Sequence, residues 1–246
     1  MFMISVTAIK DSFDPKCPIS PAVTHFFLEE TRENGERQYT THSSRRGRES
    51  HKEHSKSLRR VSEPTNIVDS VLNGLKMTTL DFTINPNIYS ETYRIMGKPD
   101  FAFHTFDSAK VVELKKRHYP SKYERLDKLQ VELYMLILGD ESFKAIPQSL
   151  EKDLRKKRIE GYVLYGNGKL VKVEPKNGDL TRLKVSETVE MINNYSSVYD
   201  LPKPKQCNPA CSNIKYCAKK GLMPYENIFA SPGGIKIESP FHSQRA

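Results

Sequence analysis

The sequence predicts an α/β domain with a mixed central sheet flanked by helices. Three observations lead there. Apolar residues recur at helical spacing in separated stretches, at Ala22–Arg32, 66–75, 121–139 and 180–195. Between the second and third of these, from 93 to 118, the period changes to two, the mark of strands. Asn167–Gly168 then stands between two β-rich runs, Gly161–Tyr165 and Leu170–Glu174, a hairpin signal because both residues accept positive φ. Helix, strands, helix, strands, helix is the order of an α/β domain.

Taken along the chain, residues 1–15 are mildly β-like, and Pro15, Pro18 and Pro21 surround Cys17. The cluster Phe26–Phe27–Leu28 gives the first helix its apolar face. From 33 to 65 apolar residues nearly vanish and Thr, Ser, His, Arg and Lys take over. That composition suits a disordered basic arm, or an exposed helix around Gly47–Arg60 that orders on a partner. Ile67, Val68, Val71, Leu72 and Leu75 form a helical stripe, and Leu80–Ile84 reads as a strand. Asp100–Thr105 and Lys110–Lys115 are two further strands with a turn at Phe106–Ala109. Residues 121–139 read as a mostly buried helix. A Pro/Lys linker, Pro202–Lys205, leads into a cysteine cluster, and the tail from about 230 is rich in Ser, Gly and Pro. These readings give one domain over 1–230, with a core at 45–175, a lobe made from 1–32 and 200–225, and a flexible tail at 231–246.

The chain has 246 residues, enough for one domain with a real core. Hydrophobic residues make up 37% and mean hydropathy is −0.61, so the core is modest and the surface heavily charged. The net charge of +9 favours polyanions, although many basic proteins bind no nucleic acid. The longest apolar run, near Leu133–Leu138, is far below the roughly 18 residues a membrane span requires. Residues 1–10 lack the basic and long apolar regions of a secretion signal. The expectation is an intracellular protein with no membrane partner, in which four cysteines are ligands or free thiols rather than a disulfide framework.

The chemistry-bearing residues fall in one order. Glu113 and Lys115, two apart on a strand, share a face, and a hairpin brings Asp100 beside Glu113. Two carboxylates and the backbone carbonyl of Leu114, whose side chain is expected to point into the core, make a hard oxygen site suited to Mg²⁺ or Mn²⁺. Lys115 would then sit beside a scissile phosphate. Read alone, Glu-x-Lys is ordinary in a lysine-rich chain. Its placement at the end of the apolar strand Val111–Lys115, opposite Gly97–Phe101, is less so. Gln130 and Tyr134, one turn apart, share a helix face among Leu126, Leu129, Leu133 and Leu136. They read equally as polar tips serving the site or as a core aromatic with its hydroxyl at the rim. His51, four residues after Gly47, is a candidate third ligand. On its own it is a solvated residue in a basic stretch, with His42, His54 and His104 as competitors.

This set resembles the RecB-like branch of the PD-(D/E)XK nuclease superfamily. That branch carries G-x-x-x-H, an Asp on a strand, E-x-K on the next strand and Q-x-x-x-Y on the following helix. Here these are Gly47/His51, Asp100, Glu113/Lys115 and Gln130/Tyr134, over roughly residues 45–135. The resemblance implies a restriction-endonuclease-like core, a metal held by His51, Asp100 and Glu113, Lys115 as catalytic lysine, and Gln130 and Tyr134 as supporting residues.

Cys207, Cys211 and Cys217 form C-x₃-C-x₅-C, and Cys17 is the one candidate for a fourth ligand. Four thiolates hold either a [4Fe–4S] cluster or tetrahedral Zn²⁺, and spacing does not separate the two. One amino-terminal and three carboxy-terminal cysteines resemble the iron–sulfur subgroup of RecB-like nucleases, which includes the fourth family of CRISPR-associated exonucleases. In that subgroup the first gap is usually two residues, where this chain has three. The resemblance implies the cluster, and ends of the chain joined through it.

The expected function is therefore a Mg²⁺- or Mn²⁺-dependent DNA exonuclease acting on single-stranded ends, with DNA guided by Arg45, Arg46, Arg48 and Lys52. Its family setting would be the trimming of spacer precursors with CRISPR integrase proteins. A stand-alone repair or viral nuclease, a non-catalytic nucleic-acid-binding module on the same fold, and a zinc-stabilised interaction protein are the alternatives.

Overall fold

The computed structural model describes residues 3–13, 17–33, 82–104, 107–146, 148–155, 158–175, 178–204, 207, 211 and 213–223. The architecture is mixed α/β, with two mixed sheets flanked by helices in place of the single central sheet expected. The first sheet orders β1 (Ile4–Ser5), β4 (Ile95–Gly97), β3 (Asn87–Ser90) and β7 (Phe143–Ile146). β1 is parallel to β4, and the other pairs are antiparallel. These strands are two to four residues long, too short for alternation to stand out in the sequence. The second sheet orders β2 (Phe82–Ile84), β5 (Phe101–His104), β6 (Ser108–Lys115), β8 (Arg158–Tyr165) and β9 (Leu170–Val173).

Residues 4–13 correct the reading of a β-like amino terminus. After two strand residues the chain turns into α1 (Val6–Phe13), followed by α2 (Ser20–Glu33). Val6 and Ile9 are β-prone in isolation, yet burial of their face, with Ala8, against neighbouring helices outweighs that propensity.

The second sheet explains where the site forms. β5 and β6 are an antiparallel hairpin in which Phe101 pairs with Val112. The chain then crosses through α3 (Glu124–Leu138) and returns as β8, parallel to β6 over its whole length. β7 and α4 (Gln148–Leu154) intervene before β8. Ala109, Val111, Glu113 and Lys115 share one face of β6, and their partners Ile159, Gly161, Val163 and Tyr165 continue that face on β8. α3 lies on it. A methyl group on Gly161 would stand 2.4 Å from Val131 and 2.5 Å from the Met135 sulfur, so a glycine is needed for this close approach. α3 also touches β3 and β4, and contact with both sheets accounts for its nearly continuous burial. Glu124 and Asp127 in its first turn complement the helix dipole.

The β8–β9 hairpin forms where expected, but its loop has four residues, Gly166–Lys169, rather than a two-residue turn. The Gly168 N–H donates to the Tyr165 carbonyl at 2.8 Å, and only Gly168 has positive φ, at 77°. Asn167 stays out of the left-handed region. Its side chain instead accepts from the Tyr119 N–H at 3.3 Å and donates to the Tyr119 carbonyl at 3.0 Å.

α5 (Gly178–Asn193) packs on α1 and α2. α6 (Ile214–Lys219) brings the carboxy-terminal part of the chain back to α2. Phe27 and Tyr216 meet edge-on with centroids 5.0 Å apart, and Lys220 pairs with Glu30. Asn213 donates to Thr24 at 2.7 Å, and Thr24 donates to Asp11 of α1, also at 2.7 Å. Among the described residues no helix is long and apolar enough to cross a membrane. The expected helix at 66–75, residues 34–65 of the expected arm and the tail at 231–246 lie outside the described residues, and Glu33 closes α2.

Candidate active site

Asp100 immediately precedes β5, one residue before the Phe101–Val112 pair. At that point side chain replaces backbone. The Leu114 N–H donates to Asp100 Oδ2 at 2.7 Å. A strand residue presents its N–H and C=O to the same edge, so the Leu114 carbonyl faces the Asp100 side of β6. The Leu114 side chain is half-buried rather than a full core residue.

Glu113 is buried on the face covered by α3. Its Oε1 accepts from Lys115 Nζ at 2.9 Å and from Gln130 Nε2 at 2.8 Å. Its Oε2 is buried without a hydrogen-bond partner. Gln130 Oε1 accepts from Lys115 Nζ at 3.0 Å and from Lys10 Nζ at 3.3 Å, so two ammonium groups fix which way the amide points. Gln130 Nε2 also donates to the Tyr134 hydroxyl at 2.9 Å, and that hydroxyl donates on to the Lys98 carbonyl at 3.4 Å. Gly97 makes room for the Tyr134 ring, since a Cβ there would fall 2.5 Å from Tyr134 Cε1.

The structure therefore brings Asp100, Glu113, Leu114, Lys115, Gln130 and Tyr134 together. His51, Arg45, Arg46, Arg48 and Lys52 lie outside the described residues. Of the competing histidines, His104 sits at the far end of β5, paired with Ala109, four residues or about 13 Å of strand from Asp100.

Two site residues escape sequence reasoning. Lys10 arrives from α1, 120 positions before Gln130, and nothing local in the sequence points to it. Asp127 had a signal, since it lies three residues before Gln130 on an apolar helix. It is buried, accepts from Arg117 at 3.0 Å through Oδ1, and faces the Tyr165 hydroxyl without a fully formed hydrogen bond between them.

The charges act on one another. Burial first, then the neighbouring Asp100 charge, push the Glu113 carboxyl up to about 7, against the pull of Lys115 and Lys10. Burial, then the like charge of Lys115, lowers the pKa of Lys10. Burial, with Glu113 second, holds the Tyr134 phenol well above its ordinary range, so it remains a neutral donor. Burial also raises Asp127 against the attraction of Lys115, Arg117 and Lys10.

A consequence for stability follows from Glu113. Between its ordinary value of 4.5 and about 7, the folded chain keeps a proton that the unfolded chain has released. Unfolding free energy therefore falls as pH rises through that window and levels off above it. With EDTA present, this group is expected to remove roughly 2 kcal/mol between about pH 5 and about pH 7, read from urea denaturation at each pH. Glu113→Gln is expected to flatten that slope.

A divalent cation fits this donor set. The buried, unpartnered Glu113 Oε2 and the adjacent Asp100 are hard oxygen donors held by the fold, with the Leu114 carbonyl on the same edge. Among the described residues no three His, Cys, Asp or Glu side chains stand in a metal-ligating arrangement. At the acidic site that is expected, because the third ligand expected, His51, is outside them.

All four cysteines are free thiols. Cys17 lies between α1 and α2, Cys207 and Cys211 precede α6, and Cys217 is on α6. Burial, then Cys211, Cys17 and Cys207, push the Cys217 thiol up to about 12. Burial and then Cys17 and Cys211 raise Cys207. The four are electrostatic neighbours, and their donor chemistry fits a thiophilic metal, although no three yet close on one point.

No family model and no curated protein matches the chain. A solved structure, the crystal structure of SSO0001, is similar at 16% identity over 72% of this chain and 89% of its own, with a TM-score of 0.26. So low a TM-score decides nothing about fold or function.

Proposed function

We propose that this chain is a metal-dependent nuclease of the PD-(D/E)XK type, cutting DNA from single-stranded ends. The observation that carries the reading is the shared hydrogen-bond network of Glu113, Lys115 and Gln130, which leaves one oxygen of Glu113 unpartnered beside Asp100. An antiparallel hairpin, a helix and a returning parallel strand, with the acidic pair at the hairpin's open end, support the same reading.

Asp100, Glu113 and the Leu114 carbonyl, with His51, would hold Mg²⁺ or Mn²⁺. When bound, the ion supplies a water of lowered pKa and offsets charge on the phosphate. The chain's own residues do the rest. Gln130 bonds both Glu113 and Lys115, so Lys115 need not reorganise to meet the phosphate. Tyr134 holds Gln130, and Lys98 holds Tyr134 through its carbonyl. Arg45, Arg46, Arg48 and Lys52 would track the strand backbone, which gives steep salt dependence and little sequence readout.

The four cysteines would carry a [4Fe–4S] cluster, with Zn²⁺ as the alternative. A role in trimming CRISPR spacer precursors beside integrase proteins is the family setting this reading favours. A repair or viral nuclease would use the same site.

The test is cleavage of end-labelled single- and double-stranded DNA with Mn²⁺, Mg²⁺ or EDTA. Progressive shortening of single-stranded DNA with Mn²⁺ and none with EDTA is expected. No cleavage with any divalent ion, or cleavage indifferent to EDTA, overturns the reading.

A further inference from the structure

Lys10 is the feature of this site that the proposed chemistry leaves unused. Its ammonium reaches Gln130 Oε1 at 3.3 Å, the same oxygen that takes Lys115 Nζ at 3.0 Å. The two nitrogens therefore lie within about two hydrogen-bond lengths of each other. Lys115 has a carboxylate partner in Glu113, whereas Lys10 makes no ion pair among the described residues. Asp11, Glu113 and Asp127 act on it only from a distance, and desolvation and Lys115 outweigh them.

Such an arrangement is unfavourable for packing alone. A half-buried ammonium beside a second ammonium loses hydration and gains repulsion, in exchange for one bond to a neutral amide. Leucine or methionine at position 10 would pack α1 without either penalty. An ammonium has three donors. After the bonds given above, one donor of Lys115 and two of Lys10 remain for an anion. Lys10 is also braced. The next residue, Asp11, accepts from Thr24 of α2, which in turn accepts from Asn213, so α1 is tied to α2 beside Lys10.

We propose that Lys10 is a second phosphate-binding residue, forming with Lys115 a two-ammonium cradle for one phosphodiester group of a nucleic acid strand. The inference rests on the nuclease reading for the identity of the strand. It does not rest on turnover, because a cradle binds whether or not cleavage follows.

The test uses the full chain as wild type, Lys10→Met and Lys10→Arg, with a short fluorescent single-stranded DNA in Ca²⁺ over a series of KCl concentrations. Lys10→Met is expected to weaken binding about tenfold and to flatten the slope of log Kd against log salt by about 0.7, the loss of one phosphate contact on a single strand. Lys10→Arg is expected to recover most of both. The thermal midpoint of Lys10→Met is expected to hold or rise, because a like-charge contact is gone. If Lys10→Met proves unstable, Lys10→Gln takes its place in the same comparison.

A merely structural lysine would change stability and leave the salt slope alone, so an unchanged slope overturns the cradle, as does a wild type that binds no DNA. If the wild type binds with the predicted slope change yet never cleaves with Mn²⁺, the cradle stands and the nuclease reading falls. If Lys10→Met cleaves with unchanged KM and salt dependence, the nuclease reading stands and the cradle falls.

Discussion

Asp100→Asn is expected to lower Mn²⁺-dependent cleavage by about 10³-fold or more, equivalent to ~4 kcal/mol of transition-state stabilisation, while leaving the protein no less stable. The two halves of that expectation come from the same geometry. The substitution keeps an oxygen able to accept from the Leu114 N–H, so the end of the hairpin survives. It removes the negative charge that works against ionised Glu113. Above pH 7 the variant is therefore expected to gain about 1 kcal/mol in urea denaturation, as Glu113 ionises more easily. Activity and stability moving in opposite directions is the signature of a carboxylate held in place for a cation. A fall in both would make Asp100 a structural cap on β6.

Cys217→Ser is expected to lower stability by roughly 3–5 kcal/mol and to abolish binding of whatever metal the four thiols hold. Without a metal at stake, exchanging one buried sulfur for a hydroxyl costs about 1 kcal/mol, so the size of the loss separates the two cases. Cys217 is buried on α6, and the other three thiols oppose its ionisation. A bound cation reverses that opposition, because thiolates become the favoured form. Anaerobically purified wild type is expected to show a broad band at about 400 nm that the variant lacks. A colourless wild type with stoichiometric zinc would assign zinc instead, and a metal-free wild type as stable as the variant would remove the metal lobe altogether. Cleavage should fall as well, since Asn213, Thr24 and Asp11 link α6 to the residue beside Lys10.

The parts of the molecule legible in the sequence are those whose spacing matches one element. Glu113 and Lys115 are two apart on a strand, and Gln130 and Tyr134 are four apart on a helix, so local geometry alone turns each pair toward one face. β6, α3 and the β8–β9 hairpin are long or strongly patterned, and they formed close to the expected residues. The first sheet was not legible, because its short strands such as Ile95–Gly97 and Phe143–Ile146 carry no pattern of their own and form by pairing with distant segments. α1 was misread because a few β-prone residues outweighed a helical face that only tertiary contact rewards. Lys10 joins the site across 120 positions. No periodicity encodes such a contact.

On the proposed reading, Asp100 and Glu113 hold one divalent ion with Lys115 beside it. The most direct measurement is anomalous diffraction from crystals of the wild type and of Glu113→Gln grown in Mn²⁺. A Mn²⁺ peak within ligand distance of Asp100, Glu113 Oε2 and the Leu114 carbonyl is predicted in the wild type, and its loss in the variant. No peak between the two carboxylates at saturating Mn²⁺, or a peak unmoved by Glu113→Gln, would mean that these carboxylates do not hold a cation.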